Sequence, residues 1–149
     1  MDSALVTANV MYEDLSVLNV ISWQHWIAVS EVNYCDGLIY INLDDKTFEM
    51  TKRYYVTGNF SKYVPAGSVR VDAACDDSEL RLLAFKYDGG CAVIVINSTK
   101  KEKELSLPEQ YSAVKSAVTD DNNNLCEYDF ADPGHIKITP RSVTTIILR

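Results

Sequence analysis

No stretch of this sequence approaches the ~20 consecutive apolar residues that cross a bilayer as a helix, so no membrane span is expected. Its opening, Met1-Asp2-Ser3-Ala4-Leu5, lacks the basic start and apolar run of a signal peptide. By that opening alone the chain stays in the cytoplasm; if it is a piece of a longer protein, the missing leader says nothing about the parent. Clustered basic residues are also lacking. The net charge is −7, and Lys100, Lys101 and Lys103 are interleaved with Glu102 and Glu104. This argues against a nucleic-acid partner and reads as a solvated strand or turn. The four cysteines (Cys35, Cys75, Cys91, Cys126) form no CxxC pair and have no His at ligand spacing, so no metal site and no cofactor are expected. Buried free thiols are the expectation, with a Cys75–Cys91 bridge as the alternative. Internal repeats and low-complexity segments are absent.

What is present is 149 residues, 47% of them hydrophobic, enough for one domain with a core. A whole (β/α)₈ barrel needs roughly 250 residues. Ala4, Leu5, Ala8, Met11, Tyr12 and Leu15 recur at helical spacing behind a cap at Asp2 or Ser3. Residues 18–23, Leu-Asn-Val-Ile-Ser-Trp, read as a fully buried parallel strand. Two short apolar runs around Asp44-Asp45-Lys46 predict a hairpin within residues 37–50. A second helix is expected over 52–64, stopped by Pro65 and Gly67. The grammar then changes. Strands are expected at 68–74, 80–87, 91–97, 102–107, 113–119, 135–139 and 143–148, separated by turns such as Asp88-Gly89-Gly90 and Asp132-Pro133-Gly134. Regular short strands indicate an antiparallel sandwich or barrel. Ala92-Val93-Ile94-Val95-Ile96 has no polar face and predicts a central strand covered on both sides.

Two blocks go beyond this grammar. One is Asn19-Val20-Ile21-Ser22-Trp23-Gln24-His25-Trp26. The other begins at Arg53-Tyr54-Tyr55 and runs through Phe60-Ser61-Lys62-Tyr63-Val64-Pro65-Ala66-Gly67-Ser68-Val69-Arg70. In this order and separation they resemble glycoside hydrolase family 30, which includes lysosomal glucosylceramidase, glucuronoxylanases and β-1,6-galactanases. Asp36-Gly37-Leu38-Ile39 between the blocks and the closing 139–145 segment fit as well, and the resemblance covers essentially the whole chain.

The resemblance implies a mainly β, α+β fragment. Residues 1–67 would be the C-terminal end of a TIM (β/α)₈ barrel, and residues 68–149 an antiparallel β-sandwich. The parent would be a secreted retaining O-glycosidase acting on a carbohydrate, a β-linked glycan. Trp26 and Trp23 would stand at the sugar pocket, because barrel sites lie at the C-terminal ends of strands; Trp23 reads equally as barrel packing. Gln24 and His25 are adjacent and read as structural. The family's two glutamates would lie upstream, so no catalytic residue is assigned. Glu13, on the polar side of the first helix, and Glu31, after Trp26, read as solvated. The expected partner is the missing N-terminal barrel portion, without which the apolar faces of the first segments are uncovered and the isolated chain unstable. A non-catalytic accessory or carbohydrate-binding sandwich is the competing reading, with Phe85, Tyr87, Tyr111, Tyr128 and Phe130 as its aromatics and His135 as a satisfied strand residue. Asn59-Phe60-Ser61 and Asn97-Ser98-Thr99 match the N-glycosylation pattern; the first is read as chance and the second as usable in a turn.

Overall fold

In the computed structural model, which describes residues 1–108, 111–129 and 134–149, the expected helices form. Helix α1 is Asp2–Ser16. After it come β1 (Val29–Ser30), β2 (Ile39–Asn42) and β3 (Thr47–Met50), then helix α2 (Lys52–Ser61). The all-β part contains β4 (Val69–Val71), β5 (Leu80–Tyr87), β6 (Gly90–Asn97), β7 (Lys103–Leu105), β8 (Ala113–Thr119), β9 (Cys126–Asp129), β10 (Ile136–Ile138) and β11 (Ser142–Leu148). The turn expected at Asp132-Pro133 and the aromatic Phe130 lie outside the described residues.

The main sheet has six antiparallel strands in the order β4-β5-β6-β11-β8-β9. Its side chains alternate with the pleat. Leu83, Phe85, Ile94, Ile96 and Val143 face one way and join Ala4, Leu5, Ala8 and Met11 of α1 with Val56 and Phe60 of α2. Leu80, Ala84, Val93, Val95, Ile146 and Leu148 face the other way, against Leu105 of β7 and Ile136 and Ile138 of β10, which pair as a separate two-stranded ladder. The apolar run 92–96 is therefore central and doubly covered, as its composition requires. Each buried Ile or Leu here contributes about 1.5–3 kcal/mol.

Four expectations need correction. Residues 18–23 form no strand. Ile21 is fully exposed and Leu18 is exposed as well, because a strand exists only through hydrogen bonds to a neighbouring strand, and none lies beside this segment among the described residues. The helices are not bare: the apolar stripe of α1 is closed by the sheet, so one core runs from residue 4 to residue 143. No side chain caps α1; Met1 occupies the N-cap position. All four cysteines are free, and Cys35 and Cys126 are exposed rather than buried.

Asn97 is fully buried. Its amide donates to the Lys101 and Thr139 carbonyls at 2.9 Å each, and its oxygen accepts from the Thr99 hydroxyl at 2.8 Å. The second glycosylation pattern is thus closed to modification in the folded chain. Asn59, of the first pattern, is equally buried.

Candidate functional site

Trp23 to Trp26 lie in an irregular segment between α1 and the β1–β2–β3 sheet. Helical spacing brings Asp14 to the end of α1 facing this segment, and its carboxylate accepts the Trp23 indole N–H at 2.9 Å. The Trp23 ring is half-buried against the helix–sheet core and lies 5.9 Å from the His25 ring, tilted by 35°. A carbonyl can only accept, so His25 Nε2–H donates to the Asp36 carbonyl, 2.6 Å away. Residue 36 in turn begins a tight hydrogen-bonded knot.

In that knot the Tyr40 hydroxyl accepts from the backbone N–H groups of Asp36 and Gly37, at 3.0 and 2.9 Å. The Gly37 carbonyl accepts from Arg53 Nε and Nη2, at 3.2 and 2.8 Å, and from the Thr51 hydroxyl. Arg53 Nη1 reaches back to the Ser3 hydroxyl of α1 at 2.8 Å. Only glycine suits position 37: a Cβ there would stand 2.7 Å from the Tyr40 ring. Arg53, 5% exposed, is a buried guanidinium satisfied by neutral oxygens.

The segment is therefore fastened at one end to α1 through Asp14 and at the other to α2 through Arg53. Between these anchors Trp26 is 80% exposed, and the peptide joining it to Ile27 is cis. The structure thus separates the two tryptophans named from the sequence: Trp26 offers an indole face to solvent, while Trp23 is mostly committed to packing and to Asp14. Gln24 is exposed, and His25 is half-buried and bonded to the Asp36 carbonyl.

Glu13 is held by Arg81 at 2.6 Å, and Glu31 is exposed just after β1. No group of three or more His, Cys, Asp or Glu side chains that could hold a metal ion occurs among the described residues, and no helix among them is long and apolar enough to cross a membrane. His135 pairs with Glu104 on the β7–β10 ladder.

Sequence reasoning missed Asp14, Tyr40 and Arg53 as positioning residues. Arg53 opens the second family-like block and Gly37 sits in the linking one, so the signal was present as pattern but not as contact.

Around this segment lies uncovered apolar surface: Val17, Leu18, Ile21, Val32, Tyr34 and Phe48 are all exposed. A groove of about 580 Å³ runs beside it, with Ile21, Trp23, Val64, Phe85 and Arg70 among its walls. The Arg70 Nε is buried without a partner among the described residues, so both the apolar and the polar surface here is incompletely satisfied.

Comparison with known proteins bears on this geometry. The family model for O-Glycosyl hydrolase family 30 matches residues 1–40. The lysosomal acid glucosylceramidase of Mus musculus is 29% identical over 79 residues, 52% of this chain and 15% of that protein. Among solved structures, the catalytic domain of a family 30 xylanase from Talaromyces cellulolyticus superposes with a TM-score of 0.85 at 21% identity, covering 98% of this chain and 35% of that one. A conserved exported protein from Bacteroides fragilis gives 0.86 at 23%, covering 97% and 33%. A family 30 xylanase from Clostridium acetobutylicum gives 0.78 at 22%, covering 97% and 38%. The chain thus spans well under half the length of the proteins it matches. Family model, curated relative and fold agree in what the chain is similar to: a part of a glycoside hydrolase family 30 protein.

Proposed function

We propose that this chain is the C-terminal segment of a retaining O-glycosyl hydrolase acting on β-linked glycans. Residues 1–67 would complete a (β/α)₈ catalytic barrel and residues 68–149 would form its accessory β-sandwich. Retaining hydrolysis requires two carboxyl groups about 5–5.5 Å apart, one as nucleophile and one as acid/base. Glu13 is engaged by Arg81 and Glu31 is exposed, so the pair is assigned to the preceding portion, and the chain by itself is inactive.

Its contribution is a wall of the sugar pocket. Trp26 supplies an indole face for the C–H face of a pyranose and excludes water there. Trp23 supports the segment from beneath through Asp14. The observation that carries this reading is Trp26, 80% exposed on a segment anchored at both ends. The uncovered surface of residues 17–50 is where the preceding barrel portion would dock. The parent is proposed to be exported, in line with the description of the Bacteroides protein.

The test is to express the chain joined to its preceding reading frame. The joined protein is expected to hydrolyse an aryl β-glycoside. Trp26→Ala is expected to lower kcat/KM by roughly 10- to 100-fold without changing thermal unfolding, since an exposed side chain contributes little stability. Hydrolysis by the isolated chain would overturn the proposal.

A further inference from the structure

A second concave site lies at the β5–β6 hairpin, where no residue of the Trp23–Trp26 segment takes part. It encloses about 510 Å³, with Tyr87, Tyr111, Gly90, Asp72, Lys86 and Arg149 among its lining residues, a size suited to a small ligand. Its platform is built rather than incidental. Tyr87 pairs with Gly90 across the hairpin, and a Cβ at Gly90 would stand 3.1 Å from the Tyr87 ring and 2.8 Å from the Leu148 carbonyl oxygen. The missing side chain is what lets the ring lie against the sheet. The turn preceding it uses Gly89 with φ of +80°, a conformation glycine adopts without strain. On the opposite wall, the Tyr111 N–H donates to the Pro108 carbonyl at 3.0 Å, and the next residue, Ser112, exchanges two backbone hydrogen bonds with Arg149 at 3.0 and 3.2 Å.

Neither tyrosine hydroxyl has a partner among the described residues, and Tyr111 remains 46% exposed. Lys86 and Arg149 are exposed as well, and Asp72 has only a distant ion pair, at 3.9 Å to Arg70. The groove therefore combines two aromatic rings held by backbone with unengaged donors and an acceptor at its rim. Aromatic faces favour the C–H face of a pyranose, and a polar rim reads its hydroxyls. A flat apolar ligand would leave the rim unused, and a simple anion would leave the rings unused.

We propose that this groove is a non-catalytic binding site for an oligosaccharide chain, with Tyr111 as the stacking residue. The choice of β-linked sugars rests on the function proposed above; the groove and its rings do not. Xylohexaose and cellohexaose, titrated into the isotopically labelled chain and followed by ¹H–¹⁵N NMR, test it. Saturable shifts are expected at the amides of Gly89, Gly90, Tyr111 and Arg149, a result that needs no variant. Tyr111→Ala is expected to weaken binding about tenfold, whereas Tyr111→Phe, which keeps the ring, retains most of it. The absence of shifts at these amides with either sugar at millimolar concentration would overturn the site, as would Tyr111→Ala binding like the parent chain. Neither outcome touches the hydrolysis test above, which is read through Trp26 in the joined protein.

Discussion

Glu127 shows how much one side chain can gather. Its carboxylate accepts from Lys62 Nζ and the Tyr63 hydroxyl, both at 2.8 Å, and from Lys115 Nζ at 3.0 Å. Hydrogen bonds from Lys62, Tyr63 and Lys115 hold its pKa down at about 2 against the ordinary 4.5. A carboxylate depressed by folding stabilises the fold above its unfolded pKa, and that stability drains away as pH falls through the folded value. The window is therefore from 4.5 down to about 2. The pair is partly solvated, so the effect is small. Asp2, Asp77, Asp120 and Asp121 are also lowered, so the informative quantity is a difference. Urea midpoints of the parent chain and of Glu127→Gln are expected to converge as pH drops through that window, the parent being the more stable at pH 6. Parallel curves would show that Glu127 does not couple to folding. Tyr63, by contrast, is pushed up, chiefly by burial and then by the same carboxylate.

At the scale of elements, α2 is held to the sheet by more than its apolar stripe. Asn59 donates to the Ala117 carbonyl of β8 at 2.9 Å and to the Thr145 hydroxyl of β11 at 3.1 Å. Thr145 returns a hydrogen bond to the Asn59 carbonyl at 2.7 Å. Truncating Asn59 to Ala removes the two hydrogen bonds its amide donates, while the Thr145 hydroxyl keeps its bond to the residue 59 carbonyl; chemical denaturation is expected to register a loss of about 1–3 kcal/mol. A change within error would mean that water replaces the amide.

Such a contact was not legible in the sequence, where Asn59 reads as part of a modification pattern. The partners lie 58 and 86 residues away, and no local period records them. What was legible had local causes: the unbroken apolar run 92–96, the alternation of residues 80–87, and the Asp-Gly-Gly turn between them. β9 was missed because Cys126-Glu127-Tyr128-Asp129 is exposed throughout and exists as a strand only by pairing with β8. The strand expected at 18–23 failed for the reverse reason, having composition but no neighbour. At the site, the pattern named Trp23 and Trp26, but only the Asp14 contact and the exposure of Trp26 separate their roles.

Taken whole, the molecule is lopsided. The sheet is covered on both faces by two apolar clusters, whereas residues 17–50 display Leu18, Ile21, Trp26, Tyr34 and Phe48 to solvent. Apolar area left open costs nothing sterically but favours association. The isolated chain is expected to bind the dye ANS without denaturant and to self-associate with concentration in light scattering. The chain joined to the barrel portion proposed above to precede it is expected to do neither. A monodisperse isolated chain without dye binding would mean that this surface is not an interface.

The position of β11 sets an order on events at the ribosome. It follows both β6 and β8 in sequence, yet it lies between them, pairing with β6 on one side and β8 on the other. Until residues 142–148 emerge, the β4–β5–β6 meander and the β8–β9 pair are two sheets with facing raw edges and nothing between them. Completion of the main sheet therefore waits for residues 142–148. A nascent chain stalled before residue 142 presents two open strand edges to whatever chaperone stands at the exit tunnel.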